Sequence, residues 1–387
     1  MTARPARLAA LVLFCVALAV APGASGSTPE VFGPAGGNYP LGQYPFFVTV
    51  GDLDGDSAKD LVVPNSGDDT VSMFLGDGRG GFRGKRPLLV GTAPLVSAVA
   101  DLDDDGRQDV AIAGGNTTTI LLNRGGKFSQ SRIDLGSTIA MSIVARDLEQ
   151  DGHVDLAIAS RGWIKVVILR GRGDGTFSRE PDLPFPNDNG IPIGINAGDF
   201  TSDGYPDLVV TDRYFQDIVI YASRGDGTFE PGRRIDLVVS MANNIAVGDF
   251  DENGHLDMAT EGEEYRNQVR VLLGNGDGTF EQRHVQLSNQ QNAVALAVTA
   301  GDFNGDCHVD IATADGGTGE MPSIGVLLGR GDGTFEHAQQ FEAGTMPHFL
   351  AAADFNGDGA DDLAIPNRGY ANGTLSIALA LGRTGCG

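Results

Sequence analysis

Asp52-Leu53-Asp54-Gly55-Asp56-Ser57-Ala58-Lys59-Asp60 places carboxylates at positions 1, 3, 5 and 9 of a nine-residue stretch, and the chain writes that stretch seven times. The second and third copies carry Asp101, Asp103, Asp105, Asp109 and Asp147, Glu149, Asp151, Asp155 at those positions. The fourth carries Asp199, Thr201, Asp203, Asp207 and the fifth Asp249, Asp251, Asn253, Asp257. The sixth has Asp302, Asn304, Asp306, Asp310 and the seventh Asp354, Asn356, Asp358, Asp362. The first residues of successive loops lie 46 to 53 residues apart. A fixed period of this size marks stacked supersecondary units.

Working outward from the sixth copy gives the content of one unit. A small apolar run, Ala295–Ala300, precedes the loop, and Asp310-Ile-Ala-Thr-Ala follows it. Ser323-Ile-Gly-Val-Leu-Leu comes next, then a Gly/Asp turn, then Thr334 to Phe341. These are four short strands separated by turn residues, with no helical period. Seven such units predict an all-β fold, a seven-bladed β-propeller with four-stranded blades.

The seventh unit stops after its third strand, Thr374–Leu381, so its outer strand has to come from elsewhere or leave an open edge. Val31 to Gly42 aligns with Phe335–Gly344, the stretch before the seventh loop. Phe82, Phe128, Phe177, Phe229, Phe280 and Phe335 follow six turns, and Phe32 supplies the seventh. The N-terminal strand is therefore expected to complete the last blade and close the ring.

Met1–Ser27 reads as a secretory signal peptide: Arg4 and Arg7, an apolar run from Leu8 to Val20, then small residues, with cleavage after Ala21, Ala24 or Gly26. Phe14 before Cys15 does not suit a lipoprotein site, and the apolar run is short of the roughly 20 residues needed to span a bilayer. Residues 28–387 are then expected to be one propeller, released outside the cell or into a periplasm, with no membrane insertion and no appended catalytic or anchoring unit. Loss of the two leader arginines takes the net charge from −24 to −26. The loops hold 24 acids at their four positions, so nearly all the excess charge is periodic. Nucleic acid is excluded as a partner on electrostatic grounds.

Oxygen side chains at positions 1, 3, 5 and 9, with a backbone carbonyl at position 7, fit a hard cation such as calcium, up to seven of them. Position 7 is Ala58, Arg107, His153, Tyr205, His255, His308 or Ala360, which fits use of the carbonyl alone. Loops 2 and 3, with four acids each and Gly106 and Gly152 at position 6, are expected to bind best. Loop 4, with Thr201 at position 3, is expected to bind worst. Ser57 and Cys307 stand where the other loops place glycine. A left-handed conformation there would cost on the order of 1 kcal/mol. Because empty loops repel one another, the ions are expected to be structural.

The acidic loops and the downstream Gly-Asp-Gly-Thr-Phe turns resemble FG-GAP/VCBS repeats, the units of the integrin α-subunit propeller and of many secreted bacterial propellers. The resemblance covers residues 28–383 and implies the same fold and the same calcium ligand set. It leaves the ligand open. Three Arg-Gly-Asp stretches, at Arg172, Arg224 and Arg330, run into these turns and read as turn chemistry rather than adhesion motifs. Cys307 and Cys386 fall on one face of neighbouring blades, where a disulfide would tie the chain end into the ring.

The second-to-third strand loops and the blade-to-blade connections lie on the opposite face, and they vary. Aromatics gather beside arginines there: Arg161 and Trp163, Arg213 with Tyr214 and Phe215, Tyr265 and Arg266, Arg368 and Tyr370, with Tyr39 and Tyr44 assigned to the same face. Such clusters on non-repeating loops make a candidate binding surface for a glycan or an extracellular protein. An enzyme acting on polysaccharide, a lyase or hydrolase, is the alternative. It lacks a single-copy catalytic cluster in this sequence, because the acids repeat and His284, His337 and His348 fall at unrelated blade positions.

Overall fold

The structure is a computed structural model, and it describes residues 31–136, 138–161, 165–186, 190–237, 242–262, 268–287, 295–315, 323–369 and 372–382. The expected leader, Met1–Ser27, lies outside the described residues. Seven antiparallel sheets follow one another along the chain.

The first blade runs Thr49–Gly51, Asp60–Asn65, Thr70–Gly76 and Phe82–Gly84, with Leu88–Leu89 extending its outer strand. The second runs Pro94–Ala100, Asp109–Gly114, Thr117–Asn123 and Phe128–Asp134. The third runs Ile139–Arg146, Asp155–Arg161, Lys165–Gly171 and Phe177–Arg179, again with a split outer strand at Leu183–Pro184. Pro192–Gly198, Asp207–Asp212, Asp217–Tyr221 and Arg233–Asp236 form the fourth. Ala246–Gly248, Asp257–Glu261, Gln268–Gly274 and Phe280–Gln286 form the fifth. The sixth is Ala295–Gly301, Asp310–Asp315, Ser323–Gly329 and Phe335–Glu342.

The seventh blade takes Ala351–Ala353, Asp362–Asn367 and Thr374–Ala378 from the C-terminal end and Gly36–Pro40 from the N-terminal end. Gly36 pairs with Ile377 and Pro40 with Thr374, and Phe32 bridges Ala380. The ring therefore closes as the sequence predicts. Gln339 holds the clasp from the neighbouring blade: its Oε1 accepts the N–H groups of Val31 and Phe32 at 2.7 and 2.8 Å, and its Nε2 donates to the Phe32 carbonyl. Phe32 is fully buried, 5.5 Å from Phe303 and 5.4 Å from Phe341.

Second strands are buried on both faces because each blade is covered by a neighbour on either side, so they read as continuous apolar runs rather than alternating ones. The core is not axial but divided among seven interfaces. Each of the seven apolar clusters draws on two consecutive blades, and one joins the last blade to the first through Leu41, Phe74, Phe355 and Leu375. Position 2 of every acidic loop plugs this core from one end: Leu53, Leu102, Leu148, Phe200, Phe250, Phe303 and Phe355 are all buried.

Candidate functional site

Every acidic loop connects the first and second strands of its blade, so all seven lie on one face of the ring. Their internal wiring is the same. Position 9 opens the second strand fully buried, and its two oxygens accept backbone N–H groups from position 2 and from the end of the third strand. For Asp60 the donors are Leu53 and Gly76, for Asp257 Phe250 and Gly274, and for Asp362 Phe355 and Ala380. Position 1 accepts from the position-6 N–H, as Asp101 does from Gly106 and Asp302 from Cys307. Position 5 accepts from position 7, as Asp105 does from Arg107. These bonds point side-chain oxygens inward while leaving each carboxylate lone pairs to offer.

Position 6 is left-handed in every loop, including Ser57 at φ 73° and Cys307 at φ 70°. Position 4 is left-handed too, at Gly55, Asp104, Gln150, Ser202, Glu252, Gly305 and Gly357. The sequence reading missed this second strained position; its signal was glycine at position 4 in loops 1, 6 and 7.

Electrostatics follow from burial. Removal from water pushes the position-9 carboxyl up to about 6 at Asp60, Asp109, Asp257 and Asp362, and to about 8 at Asp310; neighbouring loop carboxylates push the same way. Asp155 and Asp207 are raised for the same reason. A buried carboxylate beside partly exposed ones that repel it is stabilised by a cation placed between them.

In loops 1, 2 and 5 the fit is direct, since Asp52, Asp54 and Asp60, then Asp101, Asp103 and Asp109, then Asp249, Asp251 and Asp257 each bring oxygens within 4.8 Å of one another. Such all-oxygen donor sets suit calcium. In loops 6 and 7 the position-3 amide instead donates to the position-5 carboxylate, Asn304 to Asp306 at 2.8 Å and Asn356 to Asp358 at 3.0 Å. In loop 4 the Thr201 hydroxyl donates to Asp207 at 3.1 Å. Loop 3, expected to rank with loop 2, differs: Arg170 reaches from the third strand and pairs with Glu149 and, at 3.2 Å, with Asp155. Counting acids could not foresee this, because the intruding residue lies outside the motif.

Position-7 side chains do more than the sequence assigned them. His153 pairs with Asp104 at 2.5 Å, His255 with the Ser202 hydroxyl at 2.9 Å and His308 with Glu252 at 2.5 Å, each partner sitting at position 4 of the preceding loop. Loop 3 is thereby joined to loop 2, loop 5 to loop 4 and loop 6 to loop 5. The Arg-Gly-Asp stretches are turns, with Asp174, Asp226 and Asp332 accepting the N–H and hydroxyl of Thr176, Thr228 and Thr334. Cys307 is disulfide-bonded, and its expected partner Cys386 lies outside the described residues.

The opposite face carries part of the expected aromatic–arginine set. Arg161 ends a second strand and is exposed, and Arg213 and Tyr214 are exposed on the turn that follows Asp212. Arg368 stacks over Tyr44 with its guanidinium carbon 4.9 Å from the ring centroid. Arg234 stacks over Phe215, which meets Tyr214 edge-on at 4.9 Å. Trp163, Tyr265, Arg266 and Tyr370 lie outside the described residues. Tyr39 does not belong to this face: it sits in the clasp strand, edge-on to Phe74 and Phe82, and its hydroxyl accepts the Phe82 N–H.

At the centre of this face is a cavity of about 190 Å³ that the sequence reading did not find. Its walls come from the start of the first strand, or the residues just before it, in six blades: Phe46 and Phe47, Met141 and Ser142, Ile193, Asn243 and Asn244, Leu296, and His348 and Phe349, with Arg213 at the rim. Phe46 lies against His348 at 5.3 Å and Phe47 against Phe349 at 3.9 Å. Burial, and then the nearby Arg368, hold the His348 imidazole below its usual range, so it is neutral at pH 7. The signal was a matched pair: Pro45-Phe46-Phe47 and Pro347-His348-Phe349 stand at the same distance before their loops.

A model of the FG-GAP-like repeat matches six stretches, residues 52–112, 101–158, 147–210, 199–260, 262–313 and 302–365. The chain belongs to the FG-GAP-like repeat family. No curated protein sequence matches it. Among solved structures it is similar to BBS1N, crystallised in complex with ARL6DN, at 13% identity and a TM-score of 0.66, over 92% of this chain and 99% of that one. It is also similar to an Agrocybe aegerita lectin described as recognising non-reducing terminal N-acetylglucosamine, at 19% identity and a TM-score of 0.53, over 85% and 88% of the two chains. A Lactobacillus plantarum protein is similar at 12% identity, with a TM-score of 0.60 and coverage of 86% and 91%. At these identities the FG-GAP chain shares a fold with them. No helix among its described residues is long and apolar enough to cross a membrane.

Proposed function

We propose that this FG-GAP propeller is an exported, calcium-binding recognition or scaffold module that presents the face opposite its acidic loops to a glycan or protein partner. The observation that carries the reading is the asymmetry of apolar exposure. Of the six large hydrophobics exposed among the described residues, Tyr44, Ile139, Tyr214 and Phe215 stand on that face. Exposed aromatics grouped with arginines mark interaction surfaces. Calcium in the loops holds the blades from the far side and takes no part in contact with the partner. The leader composition of Met1–Ser27 supports export, where millimolar calcium would fill sites with dissociation constants of roughly 10⁻⁴ to 10⁻³ M. The solved neighbours support both partner classes, one being crystallised with a protein and another recognising a sugar.

The test is a glycan array and a screen of extracellular proteins with the calcium-loaded protein, repeated with Arg213→Ala and Tyr214→Ala together. A saturable hit abolished by the double substitution supports the reading. A hit that survives it but disappears when acidic-loop residues are changed places recognition on the other face. Turnover of a polysaccharide would make the protein an enzyme.

A further inference from the structure

Four loops carry an acid at position 3, yet the position 1, 3 and 9 carboxylates converge in only three of them, loops 1, 2 and 5. Loop 3 is the exception. The residue responsible is Arg170, the penultimate residue of the third strand of its blade. The residue before the N–H that donates to position 9 is Leu75, Leu122, Ala222, Leu273, Leu328 or Leu379 in the other six blades. Only the third blade puts a cation there.

We infer that loop 3 is not a calcium site and that the Arg170 guanidinium is its permanent, built-in counter-ion. Arg170 pairs with Glu149 at position 3 and with Asp155 at position 9, the two carboxylates a bound ion would join. It donates its remaining edge to the Gly227 carbonyl of the next blade, at a glycine where any Cβ would overlap the guanidinium. Its side chain is only 11% exposed, so it approaches from beneath the loop, between blades. Arg124 makes a useful contrast. It pairs with Asp103 and Asp105 of loop 2, but its side chain is 45% exposed and it lies across the outside of a loop whose carboxylates still converge.

A guanidinium satisfies carboxylates with directed N–H donors, whereas calcium requires their oxygens to close around a point. The two cannot share the same centre, and like-charge repulsion excludes a divalent ion beside a buried arginine. Loop 3 is thus held without metal, and it ties the third blade to the fourth at any calcium concentration.

The inference rests on the other loops binding calcium, and the test separates the two. Native mass spectrometry and isothermal titration count ions on the folded protein at saturating calcium. Asp251→Ala in loop 5 is expected to lower the count by one, while Glu149→Ala in loop 3 leaves it unchanged. Arg170→Leu, which installs the residue used in most other blades, is expected to raise it by one. A count lowered by Glu149→Ala, or unmoved by Arg170→Leu in a folded protein, overturns the inference while leaving the calcium reading intact. If Arg170→Leu does not fold, the Glu149 and Asp251 pair decides alone. A wild-type protein that takes up no calcium overturns both.

Discussion

Asp257→Ala should damage the fold even without metal, whereas Asp251→Ala should not. Asp257 is fully buried, and its carboxylate accepts the Phe250 and Gly274 N–H groups, both at 2.6 Å. Truncation strands two buried donors, each costing about 1–3 kcal/mol, for a total of about 2–6 kcal/mol. Asp251, at position 3, accepts only a long 3.3 Å contact from Asn253, so in chelator its removal loses almost nothing and relieves repulsion within the loop. In calcium at tenfold excess over the dissociation constant, each variant also loses the ion's mass-action contribution of about 1.4 kcal/mol. The assay is urea unfolding, followed by intrinsic fluorescence, with and without EDTA. Repeat rings need not unfold in one step, so midpoints of the first transition are compared. Equal midpoints for the two variants in EDTA would refute the division of the loop into a frame residue and a ligand residue.

Ser57→Gly relieves a left-handed serine at φ 73° while keeping the N–H that bonds Asp52, and should raise the urea midpoint by the equivalent of about 0.5–1 kcal/mol; an unchanged or lower midpoint counts against it. Calcium affinity should fall as pH drops below about 6. The metal-free folded state holds the Asp60, Asp109, Asp257 and Asp362 protons to about pH 6, above the unfolded value, so folding without metal loses stability as pH rises through that value. Calcium has to displace those protons, so affinity at these sites should be about tenfold weaker at pH 5 than at pH 7, and an equal titration at both values would be incompatible with burial as the cause. Deleting residues 31–41 removes the last blade's outer strand and uncovers Phe303 and Phe341, and light scattering should show concentration-dependent association through the open edge; a monodisperse deletion would show that the clasp is dispensable.

The architecture was legible because one unit of about 50 residues repeats in phase, and each copy carries its own turn chemistry. The missing strand of the last blade could be read for the same reason: Phe32 keeps the phase of the other turn-following phenylalanines. What stayed hidden depends on neighbours distant in sequence. Arg170 enters loop 3 from another strand, and the position-7 histidines reach back one whole blade. Tyr39 was misplaced because its position before Tyr44 resembles a face loop, whereas strand pairing with Thr374–Ala378 turns its ring into the core between the last and first blades. The axial cavity is spread over six blades with one or two residues from each, so no window of sequence contains it.

The clasp also has a temporal meaning. Gly36–Pro40 is the first strand among the described residues, and its partner Thr374–Ala378 is the last. Bringing ends more than 300 residues apart together costs about 5 kcal/mol of chain entropy if the intervening chain is flexible. Stacking of the six other blades ahead of closure would remove most of that cost, because each consecutive interface juxtaposes residues near in sequence. An unclosed arc leaves Phe303 and the Gln339 amide without the N-terminal segment that covers them in the ring. A chain cut short before residue 374 lacks the strand that Gly36–Pro40 pairs with, so the seam between its first and last segments has nothing to close on.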